Sequence, residues 1–147
     1  YFPALSMREE TPDRKEAEKT ISAGRKHLLL IDDEPIIKEL GTAILEEFGY
    51  RVTSFTDSRE ALKTFEENPQ EYHLVITDYS MPHLTGPQLI EKIKALRSDI
   101  PILLATGYTE LATSENLRQW GCEGIIAKPY SLKKLNQAIS AALEKAK

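Results

Sequence analysis

Four short apolar runs, each broken off by polar residues at its carboxyl end, constrain this chain more than any other feature. They are His27–Ile31 before Asp32-Asp33, His73–Thr77 before Asp78, Ile102–Ala105 before Thr106, and Gly124–Ala127 before Lys128. The runs are rich in Leu, Ile and Val without polar alternation, which is the pattern of parallel strands buried on both faces. Tyr50–Thr56 alternates enough to add a fifth strand. Segments with helical apolar spacing separate the runs, so strand and helix alternate, and the expected fold is an open, doubly wound α/β sheet. Ligands of such sheets sit outside the carboxyl ends of the strands. That edge is where the polar residues fall.

Asp33-Glu34-Pro35 is expected to open the first helix, with Pro35 at home in a first helical turn, and the helix to run to about Phe48. Ile36, Ile37, Leu40, Ile44, Leu45 and Phe48 share one side of it, and Gly49 ends it. Asp57 with Glu60 has the spacing of a capping box for a helix carrying Ala61, Leu62 and Phe65 and stopped by Asn68-Pro69. Thr85 with Gln88 repeats that signature ahead of Leu89, Ile90, Ile93 and Leu96. A further helix is expected from about Leu111 to Trp120, ended by Gly121. The last runs from Ser131 to about Lys145, with Leu132, Leu135, Ile139 and Leu143 mostly in the core and Ala138, Ala141 and Ala142 leaving a face for a partner helix.

A chain of 147 residues with 41% hydrophobic content suits one core and one domain. A net charge of −4, with no Lys/Arg stripe interleaved with aromatics, argues against a dedicated nucleic-acid binder. No apolar run approaches the roughly 20 residues that span a bilayer and no signal-peptide pattern opens the chain, so a cytoplasmic location is expected, with no membrane contact by this chain. The single cysteine, Cys122, excludes an intrachain disulfide and reads as a small buried residue. His27, His73 and His83 lack metal-ligand spacing and read as strand-edge or loop residues, with His83 close enough to Asp78 in sequence to border a site there. Trp120 reads as packing or partner surface. Residues 7–26 are mostly charged or small and read as a solvated linker. The chain opens on Tyr1 and reads as a piece of something larger.

Asp32, Asp33 and Asp78 place three carboxylates at one sheet edge, where they repel unless a cation joins them. An all-oxygen set without His or Cys suits Mg2+, which binds through one or two carboxylates and phosphate oxygens. Asp78 then has the character of an acyl-phosphate-forming nucleophile. Lys128 supplies a flexible point charge on the other side of a transferring phosphoryl group, and Thr106 a hydroxyl for one of its oxygens. Each element alone has an ordinary explanation: a helix N-terminus for Asp32-Asp33, a turn for Asp78 or Thr106-Gly107, a surface loop for Lys128-Pro129. Their coincidence at four strand ends makes those explanations weak.

From about His27 to Lys145 the chain resembles the receiver domain of two-component response regulators. The matching pieces are Leu28-Leu29-Leu30-Ile31-Asp32-Asp33-Glu34, Leu74-Val75-Ile76-Thr77-Asp78-Tyr79-Ser80-Met81-Pro82 with Gly86, Ala105-Thr106-Gly107, and Lys128-Pro129. The resemblance implies a CheY-like, flavodoxin-like sandwich with a five-stranded parallel sheet in the order 2-1-3-4-5. It implies Asp78 as phosphoacceptor, Asp33 as a direct Mg2+ ligand, Asp32 holding the metal through water, and the backbone carbonyl of Ser80 as a further ligand. Thr106 would be the switch hydroxyl, Lys128 the phosphoryl contact, and the Lys128-Pro129 bond cis. Where the family often has an aromatic switch residue, three places before the lysine, this chain has Ile125; Tyr108 or Tyr130 are the candidates to take its part.

Tyr1-Phe2-Pro3-Ala4 resembles the closing strand of a histidine-kinase ATPase domain, which divides the chain into a kinase remnant with linker, 1–26, and a receiver, 27–147. The expectation is the C-terminal receiver of a hybrid sensor histidine kinase whose parent is membrane-anchored or cytoplasmic. Its partner would be the kinase's dimerisation and phosphotransfer domain or an Hpt domain, with homodimerisation left open. As an isolated domain it would catalyse only its own phosphorylation and dephosphorylation. The alternatives are a stand-alone or truncated response regulator, a plain flavodoxin-like binding module, whose phosphate loops would want Gly, Ser or Thr in place of acids, and an aspartyl-nucleophile Mg2+ phosphatase. The last usually carries a second Asp two residues after the nucleophile, where this chain has Ser80.

Overall fold

The computed structural model describes residues 26–107 and 113–145. In order they form β1 (His27–Ile31), α1 (Pro35–Glu47), β2 (Arg51–Phe55), α2 (Ser58–Glu67), a 3-10 turn (Pro69–Glu71), β3 (Leu74–Asp78), α3 (Gly86–Leu96), β4 (Ile102–Thr106), α4 (Ser114–Trp120), β5 (Gly124–Ala127) and α5 (Leu132–Lys145). The expectations for Tyr1–Ala4, for the linker apart from Lys26, for Tyr108 and for the start of the fourth helix lie outside the described residues.

The strands pair in parallel in the order β2-β1-β3-β4-β5. Because side chains alternate across a strand, each central strand feeds two cores. Leu29, Ile31, Val75, Ile102 and Leu104 face a layer containing Ala61, Phe65, Leu89, Ile90 and Ile93 from α2 and α3. Leu28, Leu30, Leu74, Ile76, Leu103 and Ala105 face Ile44, Leu45, Leu135, Ile139 and Ala142 from α1 and α5. Burial on both faces is why these runs show no polar alternation. β2, at the sheet's edge, is only partly buried, which accounts for its mixed pattern. Gly121 closes α4 in the left-handed conformation, φ 76°, and its N–H returns to Leu117 O at 2.9 Å.

Several expectations are corrected in detail. The third strand is Leu74–Asp78: it ends on Asp78 as expected and begins one residue inside the apolar run. Ile36 is 80% and Leu40 44% exposed; the inward stripe of α1 is centred on Ile37, Gly41, Ile44 and Phe48, and at 100° per residue both leucine and isoleucine fall to its side. Leu132 is 59% exposed because it is the first residue of α5, where the helix projects at the sheet's carboxyl edge. Thr85 and Gln88 do form a reciprocal capping box. Asp57 instead caps α2 through Arg59 N at 2.8 Å, while the Arg59 guanidinium holds the same carboxylate. His27 is the first residue of β1, at a strand end as expected, and it is buried: its Nε2 lies 2.7 Å from Thr53 Oγ1, and its backbone N–H donates to His73 Nδ1 at 2.9 Å.

Candidate functional site

The carboxyl ends of β1, β3, β4 and β5 converge on a cleft of about 390 Å³ lined by Asp33, Glu34, Asp78, Ser80, Thr106, Gly107 and Lys128. Every site residue named from the sequence is therefore in this wall except Asp32, which is fully buried beneath it. Asp32 follows the last residue of β1, and its N–H bonds Phe55 O on the neighbouring strand at 3.1 Å. Its Oδ1 accepts from Glu34 N at 3.0 Å, and its Oδ2 from Lys128 Nζ at 3.1 Å. Asp78, the last residue of β3 and in register with Ala105 on β4, is 7% exposed. Its Oδ1 accepts from Tyr79 N at 2.9 Å and from Lys128 Nζ at 3.2 Å. Lys128 is placed by its own N–H, which bonds Thr106 O at 3.0 Å, and is followed by a cis bond to Pro129.

Carboxylate oxygens of Asp32, Asp33 and Asp78 lie within 4.8 Å of one another. Burial, then the negative charge of Asp32, push the Asp78 carboxyl up to about 6 despite the opposing pull of Lys128. Burial pushes the Lys128 ammonium the other way, but its bonds to Asp32 and the charges of Asp32 and Asp78 outweigh that and hold it above the ordinary lysine range. One partly buried cation thus does not neutralise the acids around it. A donor set of hard oxygens with unsatisfied negative charge and no nitrogen or sulfur fits a divalent cation such as Mg2+. Tyr130 is half-buried, its ring edge 3.1 Å from where a Cβ on Gly41 would stand, and burial together with the Asp32 and Asp78 charges raises its hydroxyl above the usual range. Cys122 is buried, its thiol pushed up to about 11 by burial.

The Asp78 shift carries a prediction with a definite sign. The folded-state value of about 6 lies above the unfolded carboxyl value of about 3.9, so the folded state binds more protons between them. Stability therefore falls as pH rises through that window and stays reduced above it, by about 2 to 3 kcal/mol for this group. Asp78→Asn removes the penalty and leaves Lys128 paired with Asp32. In EDTA at pH 7.5 the variant should unfold at higher urea than the wild type, and excess Mg2+ should narrow or reverse the order. A less stable Asn variant in EDTA would show that the acids are not in repulsion.

Sequence reasoning missed the backbone donors: Glu34 N onto Asp32 and Tyr79 N onto Asp78 are invisible in residue types. It gave no role to Glu34 and Gly107, which line the cleft although both belong to the matching motif pieces.

Fold and site together define a doubly wound α/β protein with an acidic pocket at its sheet's carboxyl edge whose three carboxylates could hold a cation. The chain belongs to the response regulator receiver domain family, whose model matches residues 28–140, and is a receiver domain of two-component systems. A sensor kinase, CckA of Brucella abortus, is 32% identical over 133 residues, covering 90% of this chain and 14% of the kinase. Among solved structures, a response regulator receiver domain protein from Clostridium thermocellum aligns with a TM-score of 0.75 and 30% identity, covering 82% of this chain and 95% of that one. The response regulator TrrA from Thermotoga maritima, in complex with Mg2+-BeF, aligns with a TM-score of 0.71 and 31% identity over 80% of this chain and 98% of its own. Other curated relatives are response regulators and transcriptional regulatory proteins of which the chain covers half or less.

Proposed function

We propose that this receiver accepts a phosphoryl group on Asp78 from a phosphohistidine, and that the modified domain then acts by contact with a partner. The observation that carries the reading is the joint placement of the Asp32 and Asp33 carboxylates and the Lys128 ammonium around Asp78 at its strand end. Asp33 and Asp78 would hold Mg2+ with the backbone carbonyl of Ser80, and Asp32 would hold it through water. Bound there, Mg2+ supplies positive charge opposite the transferring phosphoryl oxygens. Asp78 forms the new P–O bond as the P–N bond to the donor imidazole breaks, and the electron pair leaves with the imidazole nitrogen. Lys128 stabilises the charge gathered on the phosphoryl oxygens, and Thr106, buried in the cleft wall, offers its hydroxyl to one of them.

The finer context is the C-terminal receiver of a hybrid sensor histidine kinase, with residues 1–26 as kinase remnant and linker and residues 27–147 as the receiver. It is supported by the alignment to a sensor kinase, which is longer than the receiver segment itself. The phosphodonor would be that kinase's phosphotransfer domain or an Hpt domain, in the cytoplasm; among the described residues no helix is long and apolar enough to cross a membrane. Exposed Ile36, Leu40 and Leu132 stand in the opening turns of α1 and α5, beside the cleft, and give a donor domain apolar surface to bury. The relatives that are response regulators support the second reading, a receiver cut from a regulator with its own output domain. The phosphatase reading has little to stand on: Ser80, exposed at the cleft, offers no carboxylate to act as acid and base for turnover.

Intact mass after incubation with phosphoramidate tests the reading. A gain of one phosphoryl group that needs Mg2+ is expected in the wild type and not in Asp78→Asn. A wild type that takes up BeF but never gains the phosphoryl mass would point to signalling by binding alone.

A further inference from the structure

Asp78 is tied to the rest of the molecule through the peptide of the next residue. Tyr79 N–H is shared between Ala105 O, at 2.9 Å, and Asp78 Oδ1, also at 2.9 Å. Tyr79 O accepts from Gly86 N at 2.8 Å. The ring attached to this clamped peptide is half-buried against the α2 and α3 side of the sheet, and there it meets Trp120, centroid to centroid 5.6 Å with the planes tilted by 47°. Trp120 is the last residue of α4, and it also lines a cleft of about 490 Å³ between α3 and α4 together with Lys94 and Arg118. Ile125 packs on the same cluster as both rings. An aliphatic side chain there cannot make the oriented ring contacts that an aromatic would.

We propose that the Tyr79–Trp120 ring pair couples the state of Asp78 to α4 and to the α3/α4 cleft, filling the switch role that Ile125 leaves open. The proposal rests on Asp78 being the phosphoacceptor. Acyl phosphate formation draws charge off the carboxylate and so weakens its charge-assisted bond from Tyr79 N–H. The Tyr79 peptide then shifts toward its sheet bond alone and carries its ring with it. Because close-packed rings exchange between discrete arrangements and do not deform smoothly, Trp120 and the end of α4 respond. The coupling is reciprocal, so a partner that grips Trp120 in the cleft changes how readily Asp78 is phosphorylated.

Trp120 is the chain's only tryptophan, so its emission reports the contact directly. The experiment follows emission and intact mass on the same samples of the full chain during phosphorylation by phosphoramidate with Mg2+. Wild-type emission should change in proportion to the phosphorylated fraction. Tyr79→Phe, which keeps the ring, should preserve that change, and Tyr79→Leu should gain the phosphoryl group while its emission stays constant. Phosphorylated wild type with unchanged emission overturns the coupling and leaves the phosphoacceptor reading intact. So does a full response in Tyr79→Leu or a lost response in Tyr79→Phe. A wild type that gains no phosphoryl mass overturns both.

Discussion

Gly86→Ala should destabilise the protein by about 3 kcal/mol and blunt phosphorylation at the same time. Gly86 begins α3, directly behind the strand that carries Asp78. A Cβ added there would stand 2.5 Å from the Asp78 carbonyl oxygen, 2.6 Å from Leu104 Cδ1 and 2.9 Å from Tyr79 Cα. Two of those atoms are backbone and cannot turn aside, so the helix must move off the sheet or the Asp78-Tyr79 peptide must tilt. Alanine's better helix propensity returns at most about 1 kcal/mol, too little to offset the overlap. Either movement also strains the 2.8 Å bond from Gly86 N to Tyr79 O and displaces Asp78, the proposed nucleophile. Gly107→Ala is the control, since a Cβ there meets nothing within 4 Å, and urea unfolding should barely separate it from wild type. Equal stability of the two variants would refute the close-approach argument.

Lys128→Met should lower metal-free stability by about 3 to 5 kcal/mol and slow phosphorylation by roughly 10²- to 10³-fold. The ammonium stands 3.1 Å from Asp32 Oδ2 and 3.2 Å from Asp78 Oδ1. Methionine fills similar space but leaves two buried carboxylates facing each other without a counter-charge. The loss of stability is thus opposite in sign to the gain expected for Asp78→Asn, although each variant breaks the same ion pair. Mg2+ should restore much of the stability and little of the rate, because on the proposed reading the metal would sit with the acids while Lys128 would serve the other side of the phosphoryl group. A variant whose rate recovers fully at high Mg2+ would assign the lysine a purely structural part.

How much of this was legible in the sequence depends on which side chains point where. Doubly buried strands announce themselves, so Leu28–Ile31 and Ile102–Ala105 could be placed from composition, and the polar residues that end them could be gathered at one edge. Faces of helices were less legible. Ile36 and Leu132 are apolar and in sequence with the core stripe, yet both stand in first turns beyond the sheet, where no neighbour covers them. Interactions made by backbone atoms left no trace in residue types. Tyr79 N on Asp78 Oδ1 and Glu34 N on Asp32 Oδ1 emerge only once the chain is folded, whereas the cap at Asp57 was legible and only its partner, Arg59 N, was not. The Tyr79–Trp120 contact joins residues too far apart in sequence for any local pattern to reveal it.

Borohydride trapping tests most directly whether Asp78 itself receives the phosphoryl group. Reduction of an aspartyl phosphate yields homoserine at the acceptor position, which peptide mass mapping then locates. After phosphorylation with Mg2+, homoserine is expected at position 78 and at neither 32 nor 33. Homoserine at 32 or 33, or a phosphoryl adduct that borohydride leaves unchanged, would contradict that assignment.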